Sequence, residues 1–178
     1  MLFWIYCLQI LVMEKNLQNE EALKKFTKLV NEIRVCMFIT NNHEANHTRP
    51  MATIEVDASG TLWFFTDVRS IKVEEVSTDH SVHLTYAHPG KESYLDVWGN
   101  AIVSVDKQLI RDKWSPMVKA WFPGGVDDPN LALLKVTPQQ AYYWDAETGK
   151  MVAFLKIAAA AVTGTRLAEG AEGSLKLS

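Results

Sequence analysis

The chain has 178 residues, 48% of them hydrophobic and 22% charged, close to the averages of one soluble globular domain. That balance excludes a disordered chain, a collagen and a coiled-coil rod, and a chain this long needs no metal or disulfide staple to hold a core. With 18 basic residues against 21 acidic ones the net charge is −3, so no excess of cations exists to displace counterions from a phosphate backbone, and nucleic acid is not an expected partner.

Residues 1–12, MLFWIYCLQILV, are almost wholly apolar and uncharged. As a helix they rise about 18 Å, short of a hydrocarbon core of about 30 Å, and no basic stretch precedes them as in a secretory signal. A membrane is therefore not an expected partner. The preferred reading is initiation at Met13, and the alternative is an extra apolar helix packed on a partner copy or on a membrane surface. Cys7 and Cys36 form no CxxC spacing and read as free thiols of a reducing, cytoplasmic protein.

Asn19-Glu20-Glu21, then Ala22, Leu23, Phe26, Leu29, Val30 and Ile33, has helical spacing with acids in the first turn. Val35 to Thr40 is a dense apolar run, read as a buried strand, followed by a polar stretch from Asn41 to Thr48. Met51 to Val56 and Thr61 to Thr66 flank the turn residues Asp57-Ala58-Ser59-Gly60 and read as a hairpin. Val68 to Val76 reads as a short helix with Asp67 as its N-cap. Val82 to Ala87 and Tyr94 to Val105 are further strands, the second with a bulge at Gly99.

Two helical pieces run through Leu109 and Trp114 and through Met117 and Trp121. Leu131 to Val136 and Ala141 to Trp144 read as the last strands, Val152 to Val162 as an alanine-rich helix, and 166–178 as a loose tail. The expected organisation is an extension over 1–12, one domain over 13–165, and that tail. About six short antiparallel strands with peripheral helices suggest a small barrel, mainly β.

Phosphate loops, nucleophile elbows and zincin motifs are absent from the sequence. His43 and His47 have ligand spacing but lie in a polar stretch broken by Pro50, so no metal site is expected. No residue stands out as a general base, and no catalytic residue is assigned. Arg49, Thr66, Ser70 and Lys72 converge if the two hairpin strands pair. A guanidinium, hydroxyls, an ammonium and free N–H groups at a helix start suit a phosphate dianion, although a capped helix with solvated cations accounts for the same residues.

Arg49-Pro50-Met51, Trp63-Phe64-Phe65-Thr66-Asp67 and Ser70-Ile71-Lys72 resemble the flavin-binding pattern of the pyridoxamine 5′-phosphate oxidase-related family. Trp114, Lys119 to Gly125, Asp128-Pro129, Tyr143-Trp144-Asp145 and Ala158 to Gly164 resemble its bacterial general stress protein branch. The resemblance runs from about Glu20 to the C-terminus. It implies an FMN-binding split β-barrel and a homodimer with the flavin between subunits. Arg49, Met51, Thr53, Phe65 and Thr66 would then line the flavin, and Ser70 and Lys72 would hold its phosphate. Trp144 would approach the ring from the partner subunit, with Trp121 as a further neighbour.

The function so implied is that of an FMN-dependent oxidoreductase acting on an unidentified small substrate. Alternatives are a flavin-binding protein that buffers redox stress without turnover, and a split barrel holding a deazaflavin or haem. The Arg-x-His segment that binds the substrate phosphate in true pyridoxamine phosphate oxidases is absent after Trp144, so that activity is not expected.

Overall fold

The structure, a computed structural model, describes residues 13, 14, 17–41, 45–145 and 171–176. The apolar stretch 1–12 and the alanine-rich helix expected at 152–162 lie outside these residues. In chain order the elements are β1 (Met13–Glu14), β2 (Leu17–Gln18), α1 (Asn19–Ile33), β3 (Val35–Asn41), β4 (Asn46–Ala52), β5 (Glu55–Val56) and β6 (Leu62–Asp67). They continue with α2 (Ile71–Thr78), β7 (Ser81–His88), β8 (Ser93–Ser104), α3 (Lys107–Lys113), β9 (Leu131–Asp145) and β10 (Ala171–Lys176).

The strands close into a ring through one bend. β4 pairs with β3, and after Thr53 and Ile54 the chain re-emerges as β5 paired with β6. At the bend the backbone changes partners: the Thr53 N–H donates to the Arg34 carbonyl at 2.8 Å and the Ile54 N–H to the Trp63 carbonyl at 2.9 Å. From β6 the ring continues through β9, β8 and β7 back to β3, every pairing antiparallel. With β4 and β5 taken as one bent strand, this is the antiparallel split barrel of about six strands, with helices outside, that the sequence led us to expect. Closure removes the open edges that make small sheets sticky.

Alternation of side chains places one face of each strand inside. Phe38, Leu62, Phe64, Leu84, Leu95, Val97 and Val136 fill the interior, with Phe38 and Phe64 edge to face at 5.5 Å. Helix α1 lays Ala22, Phe26, Leu29 and Val30 onto the same core, each large side chain contributing about 1.5–3 kcal/mol by leaving water. A second, smaller cluster joins Trp63, Ile110, Leu131 and Leu133 to Phe65, Trp114 and Phe122 beside α3.

Several expectations need correction. The hairpin expected between Met51–Val56 and Thr61–Thr66 exists only as β5–β6, because Met51 lies in β4 and faces Cys36 of β3. The polar stretch ending at Thr48 is half strand: β4 begins at Asn46, its polar residues tolerated because it runs at the barrel rim with most side chains exposed. Helix α2 starts at Ile71 with Ser70 as N-cap, not at Val68, since the Asp67 carboxylate binds the Arg69 N–H within its own turn at 2.8 Å.

The two last strands are one, β9. Its register against β8 shifts between Trp98 and Gly99, which face Gln140 and Pro138 and leave Gln139 unpaired. The extra residue reverses the alternation: Leu134 and Val136 are buried before it, Ala141 and Tyr143 after it. Finally, Ala171–Lys176 is not loose. It forms β10, antiparallel to the end of β9 and parallel to β1 and β2, with Leu175 in the core.

Candidate functional site

The site forms where the bent ribbon meets α2. On β4, His47 and Arg49 alternate onto the inward face beside Thr40 of β3, which pairs with His47. Helix α2 brings Lys72 and Glu75, three residues apart and so on one side of the helix. Glu75 is buried and accepts three hydrogen bonds: from the Thr40 hydroxyl, from Nδ1 of His47, and from the Arg49 guanidinium at 3.2 Å. Arg49 also donates to Oγ1 of Thr40 at 2.7 Å, which locks its planar group against β3.

The electrostatics follow from this packing. Burial alone pushes the Glu75 carboxyl upward, but the bonds from Thr40, His47 and Arg49, with the Arg49 charge, outweigh it and hold the group below the usual glutamate range. Lys72 moves the other way. Burial first, then the neighbouring Arg49 charge, lower its pKa against the weaker pull of Asp67. Among the described residues the Lys72 ammonium has no hydrogen-bond or ion-pair partner, although it is half-buried beside a second cation. An anion placed there would relieve both penalties.

The turn before α2 adds hydroxyls. Ser70 Oγ donates to the Asp67 carbonyl at 2.7 Å and lies 3.4 Å from Oγ1 of Thr66. The structure brings Arg49 and Lys72 within electrostatic reach of each other where β4 meets α2, and sets Thr66 beside Ser70 at the turn before α2, without the strand pairing assumed for the four. Thr40, His47 and Glu75 belong to the same cluster and were missed.

The remaining candidates divide. The Met51 side chain lies in the barrel core, and the Thr53 hydroxyl is bound to the Tyr86 hydroxyl at 2.8 Å. Both side chains point inward, which leaves only their backbone for a ligand. Phe65 packs edge to face on Trp114 at 5.9 Å in the second cluster. Trp121 is 73% exposed in the turn after the 3-10 segment Pro116–Ala120. Trp144 is 42% exposed on the outer face of β9. It lies twelve positions beyond Ala132, the partner of Thr66, which is about 40 Å of strand path.

The outer face around Trp144 is unusually apolar for a surface. Val35, Met37, Tyr94, Trp98, Tyr142 and Trp144 are all more than a third exposed. Trp98 stacks flat on His83 with ring centroids 4.4 Å apart, and His83 binds Asp96 through Nε2. Among the described residues, no cluster of three or more His, Cys, Asp or Glu could hold a metal ion, and no helix is long and apolar enough to cross a membrane. His43 of the suggested metal pair lies outside the described residues.

A family model described as pyridoxamine 5′-phosphate oxidase like matches residues 21–168. The chain belongs to this family. Among relatives of the family member described here, protein bli-3 of Neurospora crassa is 22% identical over 135 residues, covering 70% of this chain and 65% of its own length. General stress protein 26 of Bacillus subtilis is 29% identical over 82 residues, 44% of this chain and 58% of its own. The chain therefore spans somewhat under two thirds of these two relatives.

Solved structures of the family agree with the fold. A candidate general stress protein 26 from Jannaschia sp. CCS1 superposes with a TM-score of 0.75 at 24% identity, covering 88% of this chain and 98% of that one. The general stress FMN/FAD binding protein of Xanthomonas citri superposes with a TM-score of 0.64 at 30% identity, covering 74% and 93%.

Proposed function

We propose that this family member binds FMN in a groove completed by a second copy of the chain and acts as a flavin-dependent oxidoreductase on a small substrate. The observation that carries the reading is the Lys72 ammonium, half-buried beside Arg49 and without a partner among the described residues. A phosphate monoester would supply the missing counter-charge, and the hydroxyls of Thr66 and Ser70 lie together at the turn that leads into α2. The Xanthomonas citri relative described as an FMN/FAD binding protein supports the same ligand class.

Strand geometry supports the second copy. Trp144 lies a long strand path from Thr66, so it reaches a flavin at the phosphate site of a neighbouring chain more readily than its own. The apolar outer face of β3, β8 and β9 offers the surface for such a pairing. When bound, a flavin accepts and returns hydride or single electrons. The protein's part is to fix the phosphate through Arg49, Ser70 and Lys72 and to shield the ring with aromatic side chains.

The test compares FMN with riboflavin, which share the ring and differ in the phosphate. Lys72→Met and Ser70→Ala should weaken FMN binding by tenfold or more, roughly, and leave riboflavin nearly unchanged, because only the phosphate loses partners. Equal losses for both flavins would remove these residues from the phosphate role. Purified protein should also release close to one flavin per chain, and a protein that stays colourless in excess FMN would end the reading.

A further inference from the structure

The charges around the phosphate position do not balance. Arg49 and Lys72 contribute two positive charges and Glu75 removes one, leaving a net single positive charge for a phosphate dianion. The exposed pair Asp67–Arg69 cancels itself at 3.1 Å. His47 is the remaining titratable group of the cluster. It stands two residues from Arg49 on the same face of β4, and its Nδ1 meets Oε1 of Glu75.

That contact fixes the tautomer. An ionised carboxylate only accepts, so Nδ1 of His47 carries the hydrogen and the neutral ring offers Nε2 as a lone pair. A lone pair cannot bind a phosphate oxygen. The imidazolium can, with Nε2–H as donor and the buried Glu75 carboxylate behind Nδ1 to stabilise the charge. The side chain is 42% exposed, so a proton can reach it from solvent. The groups facing His47 are Glu75 from α2, Arg49 from β4 and the Thr40 hydroxyl from β3, with Lys72 one helical turn before Glu75.

Resting on the flavin phosphate reading above, we propose that His47 is a further phosphate-binding residue, recruited as its imidazolium through the His47–Glu75 pair, so that FMN binding takes up a proton from solvent. The proton comes from the buffer and ends on Nε2 of His47. With it the cluster carries two positive charges against the dianion.

The test is calorimetric titration of the full-length protein with FMN at about pH 7.5, in two buffers of different ionisation enthalpy. There the phosphate, with its second pKa of about 6, is already dianionic and has almost no proton to lose. The expected result is proton uptake with FMN and none with riboflavin. His47→Asn should abolish the uptake and weaken FMN by roughly tenfold to a hundredfold, the worth of a hydrogen bond to a charged group, with riboflavin affinity unchanged. Glu75→Gln, which keeps the shape and removes the charge behind the ring, should reduce the uptake.

FMN binding without uptake overturns the proposal and leaves the flavin reading standing. Uptake that persists in His47→Asn and vanishes in Lys72→Met assigns the proton to the lysine and also overturns it. If neither FMN nor riboflavin binds, the flavin reading fails and this proposal with it. The unmutated protein gives an independent check by NMR, in which FMN should move the titration of the His47 ring to higher pH. An unmoved ring rejects the role.

Discussion

Gly99 lies so close to Thr137 across the β8–β9 ladder that a β-carbon added to it would stand 2.5 Å from the Thr137 carbonyl oxygen. The obstacle is backbone and cannot swing aside. Gly99→Ala must therefore spread the two strands at the bulge, and it should cost about 1–3 kcal/mol, the range for overpacking a filled interior. Urea unfolding should show a lower midpoint at an unchanged slope. An unaltered midpoint would show that the bulge relaxes at no cost.

The end of β9 is tied to α1 by one carboxylate. Asp145 pairs with Lys25 and accepts the Ser93 hydroxyl at 2.7 Å, and both charged side chains are largely buried. Asp145→Asn should lose about 2 kcal/mol, the scale of hydrogen bonds to a charged group. Amide exchange should accelerate first at the β9–β10 pairing, with β3 and β7 holding their protection.

Acid should act on the same carboxylates. Glu75 and Asp145 are each held below their ordinary values of 4.5 and 3.8, burial being overcome by their hydrogen-bond donors. The unfolded chain thus takes up protons first as pH falls. Their contribution is complete above those ordinary values and is lost as pH drops through the lower folded values. Glu75→Gln should flatten the fall in stability below about pH 4.5, measured by urea unfolding at a series of pH values.

The thiol of Cys36 should be inert in the folded protein. Burial, above all, pushes it up to about 12, and Sγ points to the Met51 carbonyl at 3.6 Å. A thiol reagent at neutral pH should leave the Cys36 peptide unmodified until denaturant is added, read by peptide mapping. Rapid labelling of native protein would mean that β3 and β4 part readily.

Most of the barrel was legible because its strands obey simple rules: Val35 to Thr40 is a dense apolar run, and Asp57 to Gly60 is a strong turn signal. The family motifs pointed to Arg49, Thr66, Ser70 and Lys72, which the structure sets in two pairs, Arg49 with Lys72 and Thr66 with Ser70. Harder to read was β4, whose Asn46, His47, Thr48 and Pro50 have neither the composition nor the alternation of a strand, since its order comes from pairing with β3. Missing β4 hid the i, i+2 relation of His47 to Arg49. Glu75 was invisible for a related reason, because a lone glutamate on a short helix looks solvated until three donors converge on it. The strand β10 was misread because Ala171 to Lys176 is held by pairing with β9 and by a single buried leucine, Leu175.

The ring has an order of assembly built into it. β9 is the last of its strands to be synthesised, yet it sits between β6 and β8. A nascent chain that has reached Asn130 holds every other strand of the barrel with two raw edges exposed, so the hazard of sticking to neighbours peaks just before completion. Chains stalled there on the ribosome should be the ones that chaperones catch.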